Sequence, residues 1–150
     1  MTIAQAEEYD PPLRFVVLHH TGFGDAHFDI MIESAPGSKL ITWRSSSWPI
    51  LDFTEVTRLP DHRSAYLEYE GPVSGNRGNV TRICSGSISR RSTRFDDQRT
   101  FTGMLLHSSP TRELPAYFIF AVWEEADGQV LALTKPAGYD SKADMNWPGK

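Results

Sequence analysis

Short runs of alternating apolar and polar residues, separated by glycine, proline, serine and aspartate, constrain the fold of this chain more than any other feature. Alternation with a period of two is typical of strands that bury one face. No segment has a convincing helical period, although Ile50–Arg58 can form a single turn. Many short strands at this spacing predict an all-β fold, a small closed or nearly closed antiparallel β-barrel with little helix. The expected strands are Arg14–His19, His27–Glu33, Lys39–Trp43, Ala65–Glu70, Asn79–Cys84, Ser87–Ser92, Thr100–His107, Ala116–Glu124 and Gln129–Thr134.

The length of 150 residues fits one domain with its own hydrophobic core. Residues 1–13 and 136–150 are polar and weakly periodic, which predicts an N-terminal and a C-terminal tail around a domain at 14–135. Cys84 is the single cysteine, which excludes an intrachain disulfide and suits a reducing cytoplasm. No apolar run approaches the roughly 20 residues that span a bilayer. We therefore expect a cytoplasmic monomer that makes no membrane contact.

Positive charge is concentrated in one segment of an otherwise acidic chain. Between Arg77 and Arg99, six arginines face two aspartates, a balance of +4 within a net charge of −4. Arginine binds phosphate through a bidentate fork, so this segment is a candidate for nucleic-acid binding, and a solvated hairpin is the alternative. The candidate nucleic-acid contacts are Arg77, Arg82, Arg90, Arg91 and Arg94, together with Arg44 and Arg58.

The strand His27–Glu33 carries the most distinctive polar pattern. Phe28, Ile30 and Ile32 form an apolar face, whereas His27 and Asp29 fall on the opposite face, together with Met31 and Glu33. An imidazole and a carboxylate two residues apart can chelate one metal ion. His20 lies across a short loop and can supply a third ligand, a set that suits Mn²⁺, Zn²⁺ or Fe²⁺. A hydrogen-bonded pair that faces solvent is the alternative, and Glu33 can act on a ligating histidine from outside the coordination sphere.

A second polar cluster follows at Asp61–Glu70. An extended chain would align His62 with Tyr66 on one face, where both can contact a phosphate. The alternative is a surface histidine and a partly buried tyrosine at the entrance of a strand.

The ordered series of these motifs resembles the phosphoesterase domain of the bacterial end-joining DNA ligase D, which also occurs as a stand-alone protein. The similarity runs from Phe15 to about Lys135. The motifs that carry it are Phe15-Val16-Val17 before His20, His27-Phe28-Asp29 leading to Glu33, Thr42-Trp43, Asp61-His62 with Tyr66, Tyr69-Glu70-Gly71, the turn at 75–78 and Leu131–Lys135.

The resemblance implies a β-barrel with a Mn²⁺-type site at His20, His27 and Asp29. It implies phosphate-contacting, catalytic roles for His62 and Tyr66. It also implies removal of 3′-phosphates or 3′-ribonucleotides from DNA or RNA ends during non-homologous end joining, with ligase and polymerase repair proteins as partners.

Three departures from the family pattern bear on catalysis. The loop after His20 is one residue longer, so His19 is an alternative ligand. Met31 and Ser47 stand where the family has an arginine and a lysine, and loss of one such donor typically costs two to three decades in rate. The candidates to replace the charge are Arg44, Arg58 and the arginines of 77–99. A metal-binding module without turnover is therefore an alternative to an enzyme.

Two further alternatives use the same strand. His27 and Asp29 with His62 or His107 would form the two-histidine, one-carboxylate triad of an iron oxygenase. A cupin-like small-molecule binder would use His27 and Glu33.

Overall fold

A computed structural model describes residues 12–90, 93–96, 100–107, 110–112 and 114–137. Within these ranges the chain forms eleven strands and one short 3₁₀ turn, Ser64–Leu67. The strands are β1 (Leu13–Thr21), β2 (His27–Glu33), β3 (Leu40–Ser45), β4 (Thr54–Glu55), β5 (Thr57–His62), β6 (Gly71–Pro72), β7 (Asn79–Ile88), β8 (Arg94–Asp96), β9 (Thr100–His107), β10 (Tyr117–Glu124) and β11 (Val130–Pro136).

All strand pairs of the described residues are antiparallel and belong to one sheet. Nine strands follow one another in the order β4-β11-β10-β9-β7-β1-β2-β3-β5, and in addition β6 pairs with β7 and β8 pairs with β9. The two strands at the ends of this order, β4 and β5, are separated in the chain by Val56 alone, whose N–H donates to the Val130 carbonyl at 2.9 Å. The sheet therefore curls until one continuous segment joins both of its edges. This nearly closed, barrel-like sheet confirms the predicted fold class.

The main core fills the inside of the curled sheet. Alternate residues of facing strands point inward because successive side chains of a strand lie on opposite faces. Phe15 of β1 and Phe118 of β10 are both fully buried, and their rings meet edge to face at 5.9 Å. Phe28, Ile30 and Ile32 of β2 pack into this core, as the alternation predicts.

A second, smaller cluster covers the outer face of β1, β2 and β3. Val16 and Leu18 of β1 pack there with Met31 of β2, and Leu67 of the 3₁₀ turn closes over them. The segment that follows β5 thus lies against the outside of the sheet. The polar side chains of β2 consequently lie on the same face as this cluster and beside it.

Strand β7 is longer than the sequence pattern indicates, since the predicted strands Asn79–Cys84 and Ser87–Ser92 form one strand that ends at Ile88. It pairs along its length with β1, with an irregular register between Val17 and Leu18. Near its end it also pairs with β9, where a Cβ on Gly86 would lie 2.0 Å from the Leu106 carbonyl oxygen. Gly86 allows this approach, and the pattern had suggested a break there.

Two predictions about the segment 50–70 were wrong. The helical turn at Ile50–Arg58 is replaced by the edge strands β4 and β5, and Pro60 is tolerated in β5 because an edge strand needs ladder hydrogen bonds on one side only. The predicted strand Ala65–Glu70 is instead the 3₁₀ turn and the bend after it, with Tyr66 N–H bonded to the Arg63 carbonyl. None of the described helices is long and apolar enough to cross a membrane.

Candidate metal centre

Strands β1 and β2 carry the three predicted metal ligands to one place. The strands are antiparallel neighbours, with His20 opposite His27 and Leu18 opposite Asp29. Residues that face each other across such a pair share one face of the sheet, and so do residues two apart in a strand. His20, His27 and Asp29 therefore converge on the outer face, beside the second cluster.

The spacing of the ligand atoms fits a single metal ion. His20 Nδ1 lies 3.1 Å from His27 Nε2. Asp29 Oδ2 lies 3.4 Å from His27 Nε2 and 3.7 Å from His20 Nδ1. Metal bonds of about 2.1 Å at 90–110° place two ligand atoms roughly 3.0–3.4 Å apart. The three atoms, all within 4.8 Å of one another, form a compact group that approaches this spacing.

In each imidazole ring of the triad, the nitrogen that points away from the other ligands contacts a backbone carbonyl. His27 Nδ1 lies 3.0 Å from the Asp25 oxygen, and His20 Nε2 lies 2.6 Å from the Arg77 oxygen. A carbonyl oxygen can only accept a hydrogen bond, so each ring donates its N–H there. In the neutral rings, the remaining nitrogens then face each other with lone pairs, which favours a shared cation. Metal-binding histidines commonly show this second hydrogen bond.

The carboxylate of Asp29 also fits a cation. The residue is 4% exposed, and its Oδ1 atom has no hydrogen-bond partner. Its nearest positive group is the Arg44 guanidinium, whose Nε lies 3.7 Å from Oδ1. A buried carboxylate with an unsatisfied oxygen is costly, and a bound cation would offset that cost. The donor set therefore fits a divalent metal, without specifying which one.

The alternation of β1 decides between the two adjacent histidines. His19 points to the opposite face from His20, where its ring stacks on Phe28 at 4.6 Å. The longer loop therefore does not change the ligand, and His20 belongs to the metal group.

A pocket of about 150 Å³ opens beside the triad, and four of the other predicted site residues line it: Arg44, His62, Tyr66 and Arg77. His62 and Tyr66 meet in its wall with ring centroids 5.7 Å apart. His62 Nδ1 donates to the Pro60 carbonyl at 2.9 Å, which leaves Nε2 as its acceptor nitrogen. The lining of this pocket includes His20, Phe23, Asp29, Met31, Arg44, His62, Tyr66 and Arg77.

Strand register decides which arginine can replace the positive charge that the family has at the positions of Met31 and Ser47. Arg44 lies directly opposite Asp29 and lines the pocket. Arg58 lies opposite Trp43 on the core-facing side, with its guanidinium carbon 5.6 Å from the Trp43 ring and an ion pair to Asp61 at 3.0 Å. Ser47 lies beyond β3, where its backbone bonds to Ser45 Oγ. Arg44 is thus near the triad, whereas Arg58 is outside the pocket.

The arginine-rich segment does not gather at the triad. Arg77 lines the pocket, and Arg82 forms an ion pair with Glu70 at 3.7 Å. Arg90 lies two residues beyond the end of β7, and at about 3.3 Å per residue that end, Ile88, is roughly 26 Å from Val80 along the strand. Arg94 begins β8, which pairs with β9. Arg91 and Arg99 lie outside the described residues.

Two side chains have roles other than those considered from the sequence. Glu33 is buried at the other end of β2, where its carboxylate accepts hydrogen bonds from the backbone N–H groups of Arg14 at 2.7 Å and Gly37 at 2.9 Å. The orienting role predicted for Glu33 is taken by the backbone carbonyls that contact the imidazoles. Because Glu33 lies at the opposite end of β2 from His27, a cupin-like pair of these two residues is excluded. His107 lies in the main core against Phe118, away from the triad, which excludes the iron site that would use it.

The turn at 75–78 is part of the site in a way that the sequence motifs did not reveal. A Cβ on Gly78 would lie 2.0 Å from the Thr21 carbonyl oxygen, and the φ angle of Gly78 is +80°. Only glycine allows this close crossing, which brings the Arg77 carbonyl to His20. The Gly-Asn-Arg-Gly sequence predicted a turn, but it did not predict that the turn contacts His20.

Comparison with known proteins adds no further assignment, since no protein-family model and no curated protein sequence matches this chain. The similarity to the phosphoesterase family therefore stays a prediction from the ordered motifs.

Proposed function

We propose that this protein is a metal-dependent phosphoesterase that removes 3′-phosphates or 3′-ribonucleotides from nucleic-acid ends. One observation carries the proposal: a single pocket is lined both by metal-ligand residues, His20 and Asp29, and by three groups that bind phosphate, Arg44, His62 and Tyr66. Such a combination suits an anionic ester held against a cation.

The cation would be held by His20, His27 and Asp29. We propose Mn²⁺, with Zn²⁺ and Fe²⁺ as the alternatives, because two imidazoles and one carboxylate suit all three ions. When bound, a divalent cation supplies positive charge to a phosphate and makes a nearby water more acidic. Fewer than four protein ligands leave coordination positions for substrate.

The remaining pocket residues act on the phosphate directly. Arg44 can donate two parallel hydrogen bonds to phosphate oxygens. When it is protonated, His62 can donate a hydrogen bond from Nε2 to a phosphate oxygen or give that proton to the leaving oxygen. The Tyr66 hydroxyl can donate to a third oxygen and thereby orient the group. These roles need no basic residue at Met31, because Arg44 lies across the strand pair from Asp29.

Nucleic acid would approach along the arginines nearest the pocket. Arg77 and Arg82 are the first candidates for contacts with the strand upstream of the end, and Arg90 and Arg94 would contact only a longer substrate. Because these contacts are electrostatic and few, we expect weak, salt-sensitive binding of nucleic acid. We place the activity in DNA end repair, upstream of ligase and polymerase partners that require a 3′-hydroxyl.

The test is release of phosphate from a 3′-phosphorylated DNA primer in Mn²⁺, with His27→Ala as the first variant. We expect no product from it, because the metal loses a ligand. Arg44→Met should lower the rate by about 100- to 1,000-fold, whereas Arg58→Met, the matched control outside the pocket, should stay near the parent. Equal product from the parent and His27→Ala would identify a contaminating activity and refute the proposal.

A non-catalytic module that binds metal and nucleic-acid ends is the second candidate function. Met31 favours it, because a thioether cannot donate to a phosphate at the position where the family has an arginine. Tight, metal-dependent binding of the 3′-phosphorylated primer without any phosphate release would identify this function.

A further inference from the structure

A second cavity of about 290 Å³ borders the metal pocket. Arg63, Tyr66, Tyr69 and Val73 contribute to its lining, and Tyr66 and Val73 also line the metal pocket. The two spaces therefore meet at a shared wall. A ligand whose phosphate occupied the metal pocket would have its next chemical group beside this cavity.

The lining of the cavity presents flat surfaces: two aromatic rings and one guanidinium plane. The rings of Tyr66 and Tyr69 lie perpendicular to each other, 6.0 Å apart. The Arg63 guanidinium carbon lies 5.9 Å from the centre of the Tyr66 ring. Aromatic rings and guanidinium planes are the groups on which nucleic-acid bases stack. The described lining includes no carboxylate that would repel the phosphates of a strand.

The ring of Tyr69 is held in place before any ligand binds. Its hydroxyl donates a hydrogen bond to the Pro72 carbonyl, and its backbone N–H donates to the Ala65 carbonyl at 3.1 Å. The neighbouring Leu67 is buried in the second cluster, which anchors the 3₁₀ turn to the sheet. A pre-positioned ring that is still 39% exposed is suited to contact a ligand.

Resting on the proposed function, we propose that this cavity holds the base of the nucleotide whose 3′-phosphate lies at the triad. The volume is near the lower limit of small-ligand pockets, so it takes one heterocycle and not a base pair. A base inside a duplex is stacked and paired, so the terminal nucleotide must be unpaired. Stacking on rings is tolerant of base identity. The substrate class is therefore an unpaired 3′-terminal nucleotide of any base.

The test is calorimetric titration of the full chain in Mn²⁺ with three probes. The first probe is the phosphonate analogue of 2′-deoxyadenosine 3′-monophosphate, in which a methylene group replaces the bridging 3′-oxygen, so the proposed activity cannot cleave it. The other two probes are inorganic phosphate and 2′-deoxyadenosine. Tyr69→Ala should weaken nucleotide and nucleoside binding by about 10- to 100-fold and leave phosphate binding unchanged. Tyr69→Phe keeps the ring and should retain most of the affinity. Tyr117→Ala, a matched control at an exposed tyrosine on β10, should behave as the parent.

Two results would overturn the proposal. One is a parent protein that binds the nucleotide no more tightly than inorganic phosphate. The other is a loss of nucleotide affinity in Phe23→Ala but not in Tyr69→Ala, because Phe23 is 54% exposed beside the triad and offers a rival stacking surface. If Tyr69→Ala does not fold, Arg63→Ala gives the same comparison from the other side of the cavity. Nucleoside binding is measured without phosphate, so it separates this proposal from failure of the phosphoesterase activity.

Discussion

Replacing Asp29 with asparagine should remove most of the stability that a divalent metal adds, while the metal-free fold persists. Asparagine preserves the size of the side chain and takes away its charge. In the metal-free protein that charge is buried and one of its oxygens has no hydrogen-bond partner, so losing it costs little. With metal present, the same change removes the one anionic ligand of the triad.

The expected magnitude follows from linkage between binding and unfolding. At a Mn²⁺ concentration 100 times Kd, binding adds about 2.7 kcal/mol to the free energy of unfolding. For a chain of this length that is a rise in Tm of roughly 5–10 °C. If the variant binds about 100-fold more weakly, at the upper end of the loss seen for an outer-shell partner, the gain at the same concentration is about 0.4 kcal/mol, or roughly 1 °C.

Differential scanning calorimetry across a Mn²⁺ titration measures both quantities. Asp25→Asn is the matched control, since Asp25 is an exposed aspartate in the adjoining loop and contributes its backbone carbonyl, not its carboxylate, to His27. It should keep the full metal-induced shift. The reasoning would be refuted by an Asp29→Asn variant that keeps that shift, or by a parent protein that shows none with Mn²⁺, Zn²⁺ or Fe²⁺.

Three further predictions concern the surroundings of the site. Gly78→Ala should weaken metal binding by about tenfold in a metal titration, because the added Cβ displaces the Arg77 carbonyl that contacts His20. Gly128 has a similar φ angle but open space around it, so Gly128→Ala should leave metal binding unchanged. Glu33→Gln should lower the free energy of unfolding in urea by about 1–3 kcal/mol with unchanged metal affinity, because two backbone N–H groups lose a charged acceptor. Burial raises the pKa of the Cys84 thiol from 9.0 to about 12, so the folded state keeps a proton that the unfolded state loses above pH 9. Stability should therefore fall between pH 9 and 12 by up to about 1.4 kcal/mol per unit, and Cys84→Ala should remove that slope.

The period-two pattern was sufficient to predict most strands and the two faces of β2. Strand geometry fixes alternation locally, so the sequence His27-Phe28-Asp29 already states which side chains go to the core and which do not. The same rule applies to β1, where it assigns His19 and His20 to opposite faces, although it does not say which face meets the metal site.

Local pattern failed where a distant contact or an edge position decided the structure. Pro60 argues against a strand in any isolated window, yet β5 forms because only one of its sides is paired. The alternation in Ala65–Glu70 resembles a strand, but Leu67 of this segment is instead buried in the second cluster, against the outer face of β1 and β2. Neither outcome depends on the residues of the segment alone.

The sequence by itself determined which chemical groups are present: two imidazoles and a carboxylate on adjoining strands, a histidine and a tyrosine downstream, and an arginine-rich segment. Tertiary structure decided which of these groups meet. The register of β2 against β3 brings Arg44 to Asp29, the register of β3 against β5 carries Arg58 to the core-facing side, and the crossing at Gly78 brings a carbonyl to His20. Pairing register and loop crossings are long-range properties, since they arise from the packing of the whole sheet and not from any one segment of the chain.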